Sequence, residues 1–235
     1  MRFQQRLQRN LKRYLDRPTV RRPQLTETIN AITASLPETV IFGGMVREFA
    51  FGNARKFVSD IDLVTLEEPI RIAKAISKYD PVLNKFGGFR FVVGKQKFDI
   101  WSLPDTWGFK HKFATGIGFP DLLKTSFFNV DAACYHVRRC ELICPDGYAD
   151  CFNNRLLDIN LAENPNPISM AHRTLNLART HQLGLTKRLA QYVVSNLRQQ
   201  TLHWSEHLFV MALVEFVESD DCDIFRLDLQ REIPA

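Results

Sequence analysis

Long apolar runs are missing from this sequence. None approaches the ~18 residues a helix needs to cross a bilayer, so no membrane span is expected. Internal repeats and low-complexity tracts are missing too. Cysteine is scarce and odd in number, five in all with no Cys-x2-Cys pair, which argues against a disulfide framework. Cys134, His136, Cys140, Cys144 and Cys151 crowd into 18 residues, but their spacings fit no common zinc site. Cys134 and His136 read instead as alternate residues of a buried strand. The first residues, "MRFQQRLQRNLKRYLDRPTVRR", are too charged to hold the apolar core of a secretory signal, and a cytoplasmic protein is expected.

What is present is an ordinary globular composition, 45% hydrophobic over 235 residues. That suffices for one sizeable core, or for a compact domain with a smaller appendage. The formal charge of +5 is unevenly spread. Residues 1–24 carry eight cations against Asp16 alone, so the rest of the chain is slightly acidic. Phe3, Leu7, Leu11, Tyr14 and Leu15 recur in this arm at helical spacing, which makes it a basic amphipathic helix. Three readings of the arm stand side by side. It presents Arg to phosphates, lies on an anionic membrane, or is a solvated helix.

Pro18 and Pro23 separate the arm from an alternation of helices and strands. "LTETINAITASL" (25–36) reads as a helix, "TVIFGG" as a strand entering a glycine turn, and "VREFAFG" as a short helix closed by Gly52. "VSDIDLVTL" is a strand and "PIRIAKAISKY" a helix with Pro at a favoured early position. Residues 89–103 alternate around Gly-Lys-Gln as a β-hairpin, and "FFNVDAACYHV" with "CELIC" forms a second strand pair. Beyond "PDGYAD" the pattern turns helical, and the tail from Glu215 is acidic. The expected class is α+β: a mixed-sheet domain over 25–155 and a small helical domain with an acidic tail over 156–235.

The chemistry concentrates in "FGGMVREFAFGNARKFVSDIDLV" (42–64). Residues two apart on a strand point to the same side, so Asp60 and Asp62 aim two carboxylates at one place. Like charges held together are costly, and a divalent cation resolves the cost. The Gly43-Gly44 turn ahead of a helix lets bare backbone approach a phosphate. A glycine turn followed by metal-binding carboxylates suggests phosphoryl or nucleotidyl transfer. Asp99, between Phe98 and Ile100 in an apolar strand, is the candidate third carboxylate, the alternative being a strand-edge Asp facing water. "DTWGFKHKF" (105–113) interleaves aromatics with cations, as for base stacking or for a buried active-site flap.

With these residues in hand, the segment resembles the head domain of tRNA CCA-adding enzymes and bacterial poly(A) polymerases. Those belong to the DNA polymerase β-like nucleotidyltransferase superfamily. The family pattern "VGGxVRDxLLG…DxD" appears as Gly43, Gly44, Val46, Arg47, Gly52, Asp60 and Asp62, with Glu48 where Asp is usual. "CPDGYADCF" resembles "DPxGGxxDL" in Asp146, Gly147 and Asp150. The resemblance implies a mixed sheet with helices on one side, and two Mg²⁺ (or Mn²⁺) held by Asp60, Asp62 and Asp99. It implies a triphosphate bound by Gly43 and Gly44 with Arg47 nearby; Ser59 and Arg173 are further nucleotide-binding candidates. Two motifs depart from the family. "RRDFTINA", linked to ribose recognition, reads "TSFFNVDA" (125–132). The base-reading "EDxxR" region reads "NPISMAHRTLN", with Ser169 and His172 at the expected arginines and Arg173 out of register.

The expectation is therefore a template-independent nucleotidyltransferase acting with a nucleoside triphosphate and a nucleic-acid or other hydroxyl acceptor, but not a faithful CCA-adding enzyme. Such single-module relatives resemble toxin or phage-defence enzymes, for which an antitoxin or effector is the expected partner. The rival expectation is a catalytically inactive nucleotide- or RNA-binding regulatory module on the same scaffold.

Overall fold

A computed structural model describes residues 2–16, 23–53, 59–219 and 222–226. Arg17, Pro18, Arg21 and Arg22 of the arm, Val58 of the carboxylate strand, and Asp220, Asp221, Asp228 and Glu232 of the acidic tail lie outside the described residues. The chain forms two compact units. The first comprises residues 1–126 and 131–149, and the second 127–130 and 150–235. Among the described residues no helix is long and apolar enough to cross a membrane.

The first unit is built on a seven-stranded mixed sheet in the order β3-β4-β5-β2-β1-β6-β7. Its strands are β1 (Thr39–Phe42), β2 (Ile61–Thr65), β3 (Val82–Leu83), β4 (Phe89–Val93), β5 (Gln96–Ser102), β6 (Cys134–His136) and β7 (Glu141–Ile143). The expected hairpin over 89–103 is present as antiparallel β4 and β5. One junction, β2 with β5, is parallel, and it pairs Asp62 with Asp99. By the same alternation Ile61, Leu63, Phe98 and Ile100 share the opposite face, all fully buried. Helices α2 (Pro23–Ser35) and α4 (Pro69–Ile76) pack on the sheet, with Ile29, Ile32, Ile72 and Ile76 buried. Burying such a side chain contributes roughly 1.5–3 kcal/mol, so these four alone anchor both helices.

The N-terminal helix α1 (Phe3–Asp16) docks by its apolar stripe. Leu7, Leu11 and Leu15 are buried, the Tyr14 ring meets Phe49 edge to face at 4.7 Å, and Arg2, Arg6, Arg9, Lys12 and Arg13 stay exposed. The second strand pair is shorter than its sequence suggests. Residues 127–133 do not extend β6. Asn129–Asp131 form a 3-10 turn, and β6 starts at Cys134. The local polar pattern explains the difference: the Asn129 side chain accepts from the Val130 and Asp158 N–H groups, at 2.9 and 3.0 Å, which curls the backbone out of the sheet.

The second unit contains α8 (Pro167–His181), α9 (Lys187–Leu197) and α10 (Trp204–Glu218), in line with the expected helical segments. It adds a small three-stranded sheet, β10-β9-β8, from Leu156–Leu157, Gly184–Thr186 and Ile224–Phe225. Strands of two or three residues are too short to show alternation in sequence.

Candidate active site

The glycine turn leaves β1 and enters α3 (Gly44–Ala50). Gly43 has φ +64°, ψ −114°, a conformation that a Cβ would strain. Its N–H donates to the Ala133 carbonyl at 3.2 Å, which ties the turn to the chain entering β6. A methyl built on Gly44 would lie 3.8 Å from Arg47 Nη2 and 4.0 Å from Ser59 Oγ. Gly44 therefore sits in a hollow flanked by one guanidinium and one hydroxyl, beside the first turn of the helix.

Arg47 is 6% exposed. Its Nη1 donates to Asp131 Oδ1 at 2.6 Å and its Nε to Glu48 Oε1 at 3.1 Å. Burial works against the guanidinium charge, but Asp131 and Glu48 outweigh it and hold the group further above its ordinary range. Such a buried ion pair persists because its hydrogen bonds are made. Arg47 therefore fixes the turn from beneath. Asp131 stands where the family-like motif departs from its pattern, and the sequence offered no sign that it pairs with Arg47.

Asp60 and Asp62 are half-buried, and Asp99 is 8% exposed. The Asp62–Asp99 register puts these two carboxylates on one face of adjacent strands, and Asp60 precedes Asp62 by two residues on the same side. Gln96 Nε2 donates to the Ser59 carbonyl at 2.8 Å, pinning the approach to Asp60 onto β5. Arg90, paired with Asp99 across the hairpin, holds both of its oxygens: Nε to Oδ1 at 2.9 Å and Nη2 to Oδ2 at 2.6 Å. These hydrogen bonds and the Asp99 charge raise the Arg90 pKa, with smaller contributions from Asp60 and Asp62. Arg90 therefore binds Asp99 directly and feels the charges of Asp60 and Asp62.

Among the described residues no group of three or more His, Cys, Asp or Glu side chains is set out to hold a metal ion. Of the three carboxylates, Asp99 is held through both oxygens by Arg90. For the cysteines, burial raises the thiol pKa of Cys134, Cys144 and Cys151.

Gly43, Gly44, Arg47, Ser59, Asp60, Asp62 and Asp99 thus all belong to the first unit, on α3, β2, β5 and the segments that lead into α3 and β2. The 54–58 stretch between the glycine-turn helix and Ser59 lies outside the described residues. Arg173 belongs to the second unit, exposed on α8 with its guanidinium carbon 6.0 Å from the Phe128 ring centre.

Comparison of the whole structure with solved ones identifies the fold. The Thermotoga maritima CCA-adding enzyme complexed with tRNA superposes with a TM-score of 0.62 over 86% of this chain, at 15% identity. A tRNA nucleotidyltransferase complexed with a primer tRNA and an incoming ATP analogue gives 0.52 over 80%, at 18% identity. The fold is that of a nucleotidyltransferase head domain. A tRNA-processing enzyme in an apo form gives 0.53 over 79% of the chain, at 19% identity. The chain spans only 53–56% of the length of these three. No family model matches the sequence, and no curated protein matches it. The nucleotidyltransferase fold is thus carried here by a sequence that has diverged widely from those of its structural neighbours.

Proposed function

We propose that the protein is a metal-dependent, template-independent nucleotidyltransferase that moves a nucleotide from a nucleoside triphosphate to an acceptor hydroxyl. The observation that carries this reading is the parallel β2–β5 register, which places Asp62 beside Asp99 on the face that Asp60 also shares. The fold supports it, and the solved neighbours, complexed with tRNA and an ATP analogue, support a triphosphate and an RNA acceptor.

The donor set suits Mg²⁺ or Mn²⁺, hard cations that take one or two carboxylates and complete their shell with water and substrate phosphates. Asp60 and Asp62 would hold the ion, and Asp99 joins them once Arg90 turns away. A divalent cation there supplies charge neutralisation for the triphosphate and a lowered pKa for the acceptor hydroxyl. The hollow at Gly44, with Ser59 Oγ on its rim, receives the phosphates against bare backbone. Arg47 acts as a positioning residue by holding that backbone through Asp131. The acceptor oxygen forms a bond to the α-phosphorus, the α–β bridging bond breaks, and pyrophosphate leaves with that electron pair while the hydroxyl proton passes to solvent. Little is asked of a protein nucleophile, since positioning and charge neutralisation lower the barrier.

Arg90 is the residue that tunes access to Asp99. Its side chain is 55% exposed and free to swing without disturbing the core. Replacing it with Gln is expected to lower, several-fold, the Mn²⁺ concentration that half-maximally stabilises the protein in a thermal-shift titration. An unchanged or higher midpoint would mean that Arg90 is not competing with the ion.

The same Arg90–Asp99 pair favours a second reading, a nucleotide- or RNA-binding module that kept the scaffold without turnover. An incorporation assay separates the two. Each labelled ribo- and deoxyribonucleoside triphosphate is offered with Mg²⁺, with and without total RNA, beside an Asp60→Ala/Asp62→Ala control. Product that requires both carboxylates establishes transfer. Metal-dependent triphosphate binding without product establishes the module.

A further inference from the structure

We infer that the cleft between the β3–β4 turn and α5 (Trp107–Lys110) is a stacking site for single-stranded nucleic acid, the strand whose end the transfer site would extend. The inference deepens the proposed function and rests on it for the identity of the strand as acceptor. The cleft has a volume of about 370 Å³ and is lined by Leu83, Lys85, Phe86, Trp107, Lys110 and His111.

Two of the lining rings, Trp107 and His111, stack with a third, Phe113, that is not part of the lining. Trp107 and His111 lie 4.6 Å apart and tilted by 29°, Trp107 and Phe113 5.2 Å apart at 27°, and His111 and Phe113 6.2 Å apart at 8°. They are not sheltered in a core: Phe113 is 45% exposed, Phe86 on the opposite wall 42%, and His111 is exposed. Near-parallel rings with a face left to solvent offer a base the same contact that they make with each other.

Two cations, Lys85 and Lys110, line the cleft. Lys110 Nζ donates to the Phe86 carbonyl at 3.1 Å and pairs with Asp105 Oδ1 at 2.9 Å, tying the two walls together. Lys85 Nζ lies 4.9 Å from the Phe86 ring centre. From Val82 to Ile117 six cations face only Asp99 and Asp105, a bias complementary to a polyanion. Stacked rings interleaved with cations match single strands, whose bases are open to stacking. They do not match duplexes, whose bases are already stacked.

The cleft also continues the carboxylate face. On β5, Trp101 projects from the same side as Asp99, two residues further on. The Asn84–Gly88 turn closes directly on it. A methyl built on Gly88 would meet Trp101 Cβ at 3.0 Å, and one on Gly87 would meet Lys110 Nζ at 2.9 Å. Trp101 itself packs against the core together with Phe109 of α5 and donates its indole N–H to Thr106 Oγ1 at 3.0 Å, so turn and α5 are both anchored on the strand that carries Asp99.

The test measures binding of labelled single-stranded RNA and DNA of about twelve nucleotides to the whole chain by fluorescence anisotropy, in EDTA and without triphosphate. His111→Ala/Phe113→Ala, which changes two exposed rings, is expected to weaken binding roughly tenfold with an unaltered melting curve, the scale of losing one base stack. Lys110→Gln is expected to reduce the slope of log affinity on log salt by about 0.7, one phosphate contact on a single strand. Wild-type affinity in the double variant overturns the inference, as does binding that prefers duplex or no binding of any oligonucleotide. Metal-dependent triphosphate binding is read separately, so failure of the cleft leaves the transfer site standing, and the reverse.

Discussion

Asp60→Asn is expected to cut nucleotide incorporation roughly a thousandfold, the scale of losing one preorganised electrostatic group. It is expected to move the Tm by less than about 2 °C in metal-free buffer, as a half-exposed substitution does. Asp60 lies just outside β2, next to Ser59, whose carbonyl Gln96 pins, and it is half-buried. The isosteric amide keeps shape and removes charge, so the two readouts separate. The Tm increase on adding Mn²⁺ with a triphosphate is expected to vanish in the variant. Incorporation that survives at more than a tenth of the parent rate would remove Asp60 from the site.

The opposite pattern is expected at Asp131. It is 8% exposed and accepts a 2.6 Å hydrogen bond from Arg47, itself 6% exposed. Asp131→Ala leaves that guanidinium buried with Glu48 as its remaining anion, and breaking a buried pair on one side costs about 3 kcal/mol. In a chain of this size that is a fall of roughly 6–12 °C in Tm, read by calorimetry or circular dichroism. Arg47→Met/Asp131→Leu, which removes both charges, is expected to recover most of it. Arg47→Lys is not expected to substitute, because an ammonium cannot serve Asp131 and Glu48 with the same planar fork. A cycle with no coupling between positions 47 and 131 would show that the glycine turn is held by something else.

Much of this arrangement was legible before any coordinates. Two Asp residues at i and i+2 share a face by the geometry of a strand, and Gly43-Gly44 before a helix announces a turn that needs positive φ. The hairpin register was also available, since a two-residue turn at Gly94-Lys95 makes Arg90 the partner of Asp99. An Asp in an apolar strand suits a metal, a solvent-facing edge or a hairpin neighbour alike, so residue type alone does not single out Arg90 as its partner. Asp131 was beyond reach. It meets Arg47 across 84 residues, a contact set by tertiary packing, and the surrounding apolar residues read as strand until the Asn129 side chain turned the backbone away. The short strands of the second unit carried no periodicity to read.

The parallel pairing of β2 with β5 has a consequence for how the protein acquires activity. Antiparallel neighbours such as β4 and β5 zip from a local turn. Asp62 and Asp99, by contrast, meet only after the intervening chain, α4 and β3 included, has been laid down as a crossover. Loop closure of that length is paid before any contact rewards it, so this junction belongs to the slow, non-local part of folding. A nascent or partly denatured chain that retains its helices and its β4–β5 hairpin still lacks the site. The proposed site is therefore a property of the completed sheet, and a partially folded molecule does not bring Asp62 and Asp99 together.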